Sequence, residues 1–175
     1  MEYRGLSESE ITRDLFLSFT HRQTVRECWR YVDGEWVIRS DPFVDDWDEK
    51  DYEKLIRDLR ATIAAQGFVS GAFQNGLLKG FAAVKAGLMG SRREYLDLAS
   101  IHVSQDMRGQ GIGRGLFTLA KDWARAHGAK KLYISAHSAV ETQAFYRAMG
   151  CVEAQEYDAG HVRLEPCDCQ MECEL

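Results

Sequence analysis

Residues 95–128 read YLDLASIHVSQDMRGQGIGRGLFTLAKDWARAHG. Tyr95 to Ser104 is apolar and β-branched enough for a buried strand, and Gln105, Asp106 and Met107 leave it. Arg108-Gly109-Gln110-Gly111-Ile112-Gly113 follows, and from Arg114 the apolar residues Leu116, Leu119, Ala120, Trp123 and Ala124 recur at helical spacing. Gly128 stands just past the last periodic residue, where a helix ends. The stretch is therefore a strand, a glycine-rich turn and a helix.

Three glycines at alternate positions between a strand and a helix let the backbone approach a ligand closely and adopt positive φ. Successive N–H groups then face one concavity, and the helix start adds unpaired donors and partial positive charge. That is a site for a phosphate or pyrophosphate, and Arg108 and Arg114 flank it. The dinucleotide pattern G-x-G-x-x-G fails, because the sixth place is Arg114 counted from Gly109 and Leu116 counted from Gly111. The P-loop fails too, since no Gly-Lys-Ser/Thr occurs. A turn serving only chain reversal is the plainer alternative.

What remains, R-G-x-G-x-G, resembles the acyl-CoA pyrophosphate loop of the GNAT superfamily of N-acetyltransferases, [QR]-x-x-G-x-[GA], with Arg108, Gly111 and Gly113 at its fixed positions. Downstream, 131–138 (KLYISAHS) reads as the next strand and 141–149 (ETQAFYRAM) as a short helix ending at Gly150. Phe145-Tyr146 and Gly150-Cys151 match the superfamily pattern A-x-x-[FL]-Y-x-x-x-G-[FC]. Thr142 stands where alanine is usual, and Ala139 where many members have a cofactor-binding asparagine. The resemblance covers residues 95–151 and implies acetyl-CoA as co-substrate, with Arg108, Gly109, Gln110, Gly111, Ile112, Gly113 and Arg114 around its pyrophosphate. It implies that the pantetheine arm pairs with the edge formed by Ile101, His102 and Val103. It also implies direct attack by an amine, with Tyr146 protonating the leaving thiolate. A tyrosine hydroxyl titrates near a thiol, so that transfer suits it; packing of the helix is the plainer role. For the base the resemblance points to the central strand. Asp97 is the first candidate there, then His102, with Glu94 at the strand's entry and a water chain as an alternative. His137 and Cys151 read as structural.

Length and composition fit these expectations. A chain of 175 residues, 45% hydrophobic and 28% charged, is expected to form a single domain over 1–175. A net charge of -5 does not suggest a nucleic-acid binder, and no apolar run reaches bilayer length. With a charged N-terminus lacking a signal-peptide core, the chain is expected to be cytoplasmic, a monomer or a homodimer, and away from membranes. Cys167, Cys169, Met171, Cys173 and Leu175 alternate with polar residues, which reads as a strand with one apolar face rather than a metal site. No metal is expected, and an odd count of five cysteines argues against a disulfide framework.

Elsewhere, 3–6 reads as a first strand and 7–19 as a helix capped by Ser7 or Ser9. Residues 21–30 extend that helix or begin a second. Asp33-Gly34 is a turn, 36–39 a short extended piece, and 41–53 an acidic stretch with seven carboxylates and one lysine. A helix opens at Trp47 or Asp48 and runs to about Gln66. Residues 68–73 and 77–85 form a hairpin about Asn75-Gly76. Val152 to Tyr157 and His161 to Leu175 make a terminal antiparallel pair. The fold class expected is α/β, a GNAT-like mixed central sheet of about six or seven strands flanked by about four helices. The acceptor is expected to be a small-molecule or peptide amine. Trp36, Phe43 and Trp47 among Asp41, Asp45 and Asp46, within a wall from Trp29 to Trp47, would suit a cationic one. An acyltransferase using an O-acceptor or a longer acyl-CoA, and a non-catalytic acyl-CoA sensor, are the competing readings.

Overall fold

A computed structural model describes residues 1–175. Its strands are β1 (Glu2–Gly5), β2 (Arg22–Val32), β3 (Glu35–Asp46), β4 (Phe68–Gln74), β5 (Leu77–Val84), β6 (Tyr95–Val103), β7 (Lys131–Ala136), β8 (Val152–Glu153) and β9 (Cys169–Glu174). The helices are α1 (Glu49–Ala64), α2 (Ile112–Ala126), α3 (Val140–Ala148) and α4 (Ala159–Leu164). Seven strands form one mixed sheet in the order β1-β4-β5-β6-β7-β9-β8, and β2 and β3 pair separately. Only β6 and β7 run parallel.

Alternation along the strands builds two cores. Ala82 and Val84 of β5 and Leu96 and Leu98 of β6 meet Leu116, Ala120 and Ala124 of α2. Phe81 and Ala83 face the opposite way, onto Tyr52 and Leu59 of α1 and onto Phe16 and Phe19. Asp48 caps α1, its carboxylate accepting from the N–H groups of Lys50 and Asp51 while Asp51 returns the bond to the Asp48 N–H.

Four expectations are corrected. Residues 7–19 hold two single 3-10 turns, Glu8–Glu10 and Asp14–Phe16, in place of a helix. Ser7 does cap, but the turn ends at Ile11. Residues 21–30 are strand β2, not helix, and 35–46, expected as a brief extended piece and an acidic loop, are its partner β3. Pro42 is tolerated there because the register slips between Val25 and Glu27, leaving Asp41 and Pro42 outside the ladder. The terminal pair is shorter than expected. Asp158 accepts from the His161 N–H and starts α4, so only Val152–Glu153 and Cys169–Glu174 are strands, with β9 between β7 and β8.

That central position also buries the polar face of β9. Gln170 and Glu172 are as covered as Cys169, Met171 and Cys173. Glu172 compensates by binding Lys131 Nζ at 2.8 Å, the Tyr95 hydroxyl at 2.7 Å and the Gln155 N–H at 3.0 Å. Replacing Glu172 with Ala strands a buried ammonium and phenol, leaving Lys131 only the exposed Glu174 at 3.3 Å. Breaking a buried pair costs about 3–5 kcal/mol, and the remaining partner places the expected loss at the lower end. Denaturant titration should show a lower midpoint at unchanged slope.

Candidate active site

The sheet opens at one seam. β6 and β7 pair at Tyr95↔Lys131, Leu96↔Leu132 and Asp97↔Tyr133, then part. A bulge explains the bend, because Leu98 pairs with Val84 and Ser100 with Ala83, leaving Ala99 as the extra residue. Beyond it β6 stays zipped to β5 as far as Val103, while β7 follows β9. Between them lies a cleft of about 890 Å³, with Ile101, His102 and Val103 on one wall and Ser135 and His137 on the other.

One end of the cleft is the glycine loop. Gly109 and Gly111 have φ of 75° and 81°, and a Cβ built on either would meet nothing within 4 Å. The left-handed backbone turns an open concavity toward the cleft. Gly113 serves packing, since a Cβ there would lie 3.0 Å from the Phe145 ring of α3. The first bond of α2 is from the Gly115 N–H to the Gly111 carbonyl. Ile112, Gly113 and Arg114 therefore present N–H groups with no acceptor in the helix, at its positive end. An anion fits this cradle by both shape and charge. Arg114 lines the cleft and is exposed. Arg108 also lines it, but its guanidinium donates to the Val103 carbonyl at 3.3 Å and the Arg22 carbonyl at 2.9 Å. It thereby ties the hairpin to the end of β6. Gln110 turns back to Met107 Sδ at 3.7 Å, and the Ile112 side chain enters the core.

Tyr146 reaches the cleft from α3, packed against Phe117 and Phe145. Burial pushes its pKa up, so it stays protonated at neutral pH. Asp97 sits at the last paired position of the seam and does not line the cleft. Its Oδ2 binds Lys85 Nζ at 3.0 Å and His161 Nε2 at 3.1 Å. Burial would raise its pKa, but these two partners outweigh that and hold the carboxyl below its ordinary value. Oδ1 is buried without a partner. His102 lines the cleft against Phe81, His21 and Trp47, and burial with the His21 charge nearby lowers its pKa to about 3. Glu94 lies before the paired part of β6, bound by Arg92 at 2.8 Å, away from the opening.

The expected acceptor wall is the β2–β3 hairpin. It is tethered by the Cys28–Ala139 bridge and by the Trp29 N–H bonding the Ser138 carbonyl. Ala139 is fully buried against Val25 and Cys28. Of the three aspartates of β3 two are engaged elsewhere, Asp41 with Arg30 and Asp46 with Arg22, and Asp48 just beyond them caps α1. Asp45 alone lines the cleft, its Oδ2 2.7 Å from Nε2 of His21, whose ring stacks on Trp47. Phe43 packs on His137. Trp29 and Trp36 instead line a separate cavity of about 380 Å³.

Sequence reasoning missed His21, Ser135, Glu165 and Asp168, and read His137 as packing; all five line the cleft. A signal existed for one pair: Glu165 and Asp168 flank Pro166 in a tight turn before the last strand, closed by the Asp168 N–H bonding the Glu165 carbonyl.

The model of the acetyltransferase (GNAT) family matches residues 32–151. The chain belongs to that family. The GNAT fold is seen in solved structures along its whole length. A nourseothricin acetyltransferase is 18% identical with a TM-score of 0.70, covering 99% of this chain and 97% of that one. A protein from Bacillus anthracis described as a streptothricin acetyltransferase, solved with acetyl coenzyme A, is 16% identical with a TM-score of 0.71, covering 99% and 98%. The PaiA N-acetyltransferase of Thermoplasma acidophilum, solved with coenzyme A, is 18% identical with a TM-score of 0.61, covering 99% and 98%. No curated protein matches this chain by sequence. As a GNAT acetyltransferase the chain acts on acetyl-CoA, and the glycine cradle at the α2 start has the shape and polarity for the anionic end of that molecule.

Val at Gly111 would fill the concavity and force a β-branched residue to positive φ, a strain of about 1–2 kcal/mol. The protein should still fold, and calorimetry should show acetyl-CoA binding at least about tenfold weaker.

Proposed function

We propose that the protein is an N-acetyltransferase that moves the acetyl group of acetyl-CoA to a primary amine by direct attack, within one domain spanning 1–175. The observation that carries this reading is the pairing of an anion cradle with a buried, protonated tyrosine along one cleft. Arg108, Gly109, Gln110, Gly111, Ile112, Gly113 and Arg114 form the loop that takes the pyrophosphate. The parted edge of β6 at Ile101, His102 and Val103 offers backbone groups to the pantetheine arm. No nucleophilic side chain is needed, because the amine itself attacks once the thioester carbonyl is polarised.

Tyr146 is the general acid in this reading. Its hydroxyl is protonated at neutral pH and the packing against Phe117 and Phe145 holds it at the cleft, where it can pass that proton to a thiolate that develops beside it. Tyr146→Phe keeps the packing and removes the proton. Turnover should fall by about 10²- to 10⁴-fold with unchanged acetyl-CoA affinity by calorimetry. Turnover at the wild-type level would leave the residue a packing role.

The acceptor is a cationic amine. Asp45, Glu141, Glu165 and Asp168 line the cleft, while of its arginines Arg22 is paired with Asp46 and Arg108 and Arg114 belong to the loop. Carboxylates attract an ammonium group, and the Trp47 and Phe43 faces near the wall add to the attraction. Apparent acceptor affinity should fall with added salt, since exposed charges are screened. Asp45→Asn should raise KM for the acceptor more than it lowers kcat. Thiol release over a panel of primary amines measures both, and a preference for neutral or anionic acceptors would refute the assignment.

A further inference from the structure

Asp97, the strand carboxylate nearest the seam, is committed to Lys85 and His161 outside the cleft, and His102 is held neutral. The cleft contains another carboxylate whose surroundings differ. Asp168 lies in the turn entering β9, on the face of the sheet opposite Tyr146: Ser135 points to this face, whereas its neighbours Ile134 and Ala136 pack with Tyr146.

A directed chain of hydrogen bonds ends at Asp168. The Asp158 N–H donates to the Tyr133 hydroxyl at 2.8 Å, and that hydroxyl donates to Gln170 Oε1 at 2.6 Å. Gln170 Nε2 donates to Ser135 Oγ at 3.1 Å, and Ser135 Oγ donates to Asp168 Oδ2 at 3.3 Å. Every donor points the same way, so the chain fixes the Asp168 carboxyl as its terminal acceptor. Tyr133 and Gln170 are almost wholly buried, which makes the chain a rigid support rather than a surface accident.

We infer that Asp168, held by Ser135 and paired with Glu165, is the group that takes the proton from the ammonium of the acceptor. The assignment rests on the N-acetyltransferase reading above. Asp168 removes one proton, and the freed lone pair forms the N–C bond as the C–S bond breaks. The second amine proton reaches the thiolate sulfur by way of Tyr146. Acetylated amine, free thiol and protonated Asp168 result, and Asp168 then releases its proton to water.

The electrostatics agree. Burial first, then the Glu165 carboxylate beside it, pushes the Asp168 pKa well above the ordinary carboxylate range, and the Ser135 bond and His161 oppose this without overcoming it. Tyr146, on α3 across the sheet, is within electrostatic range of Asp168, and His137 at the end of β7 is within range of Glu165. The arginines of this region, Arg30 and Arg147, face the next residue, Cys169. A base acts best when its pKa lies near the working pH.

The test compares two acceptors in one thiol-release assay: spermidine, an ammonium at neutral pH, and hydroxylamine, a neutral nucleophile there. Asp168→Asn should lower kcat/KM for spermidine by about 10²-fold and remove the acid-side inflection of its pH profile, with little loss for hydroxylamine and unchanged acetyl-CoA affinity. Glu165→Gln removes the like charge, so the same inflection should move to lower pH; this variant serves if Asp168→Asn does not fold. Equal losses for both nucleophiles, or an inflection that neither variant moves, would overturn the assignment and leave the N-acetyltransferase reading intact. A wild-type protein that binds acetyl-CoA but acetylates neither nucleophile nor any amine of the panel would overturn both.

Discussion

The parting of β6 and β7 after Asp97 and Tyr133 is the constraint on which the molecule depends. A parallel pair in mid-sheet would ordinarily stay hydrogen-bonded, since buried backbone groups need partners. Here the Ala99 bulge turns one strand away, and each strand keeps an antiparallel neighbour on its outer side. The opening therefore leaves both halves of the sheet intact. The glycine loop, the α2 start, Tyr146 and the Asp168 turn all border that opening.

The same seam sorts the carboxylates. Asp97 is at the closed end, where Lys85 and His161 hold it ionised and occupied. Glu165 and Asp168 are at the open side, two acids in one turn whose mutual repulsion favours keeping a proton between them. Glu172 lies beneath, wholly committed to Lys131 and Tyr95. Identical chemistry thus has three duties, assigned by partners and solvent rather than by residue type.

Much of this was legible in the sequence. The strand, glycine turn and helix of 95–128 lie where their residues put them, because propensity, periodicity and turn chemistry agree there. The Asn75-Gly76 hairpin and the Asp48 cap were equally plain. The hairpin of 22–46 was not, for a physical reason. Its buried residues Val25 and Cys28 are three apart, a spacing that imitates a helical face. Residues 7–19 misled differently, since Ile11, Phe16 and Phe19 reach the core from isolated turns. Asp168 was hidden because alternation put it among the polar residues of a strand read as having one apolar face. β9 is instead interior, and only the tertiary pairing reveals what its polar side meets.

The hairpin is unbroken chain from Arg22 to Asp46, outside the main sheet and held from one side: by the Cys28–Ala139 bridge, the Trp29 and Arg30 bonds to Ser138, the Trp36 bond to Glu153, the Arg108 guanidinium on the Arg22 carbonyl, and the packing of Trp29 and Trp36 on the core. Its tip at Asp33-Gly34 is free of the rest. Such a segment behaves as a cassette. Its face toward the cleft can change at Gln23, Asp45 and their neighbours, while Trp29 and Trp36 keep it packed on the core. In the acceptor reading proposed above, the hairpin's share of the wall that meets the acceptor therefore lies in one continuous stretch.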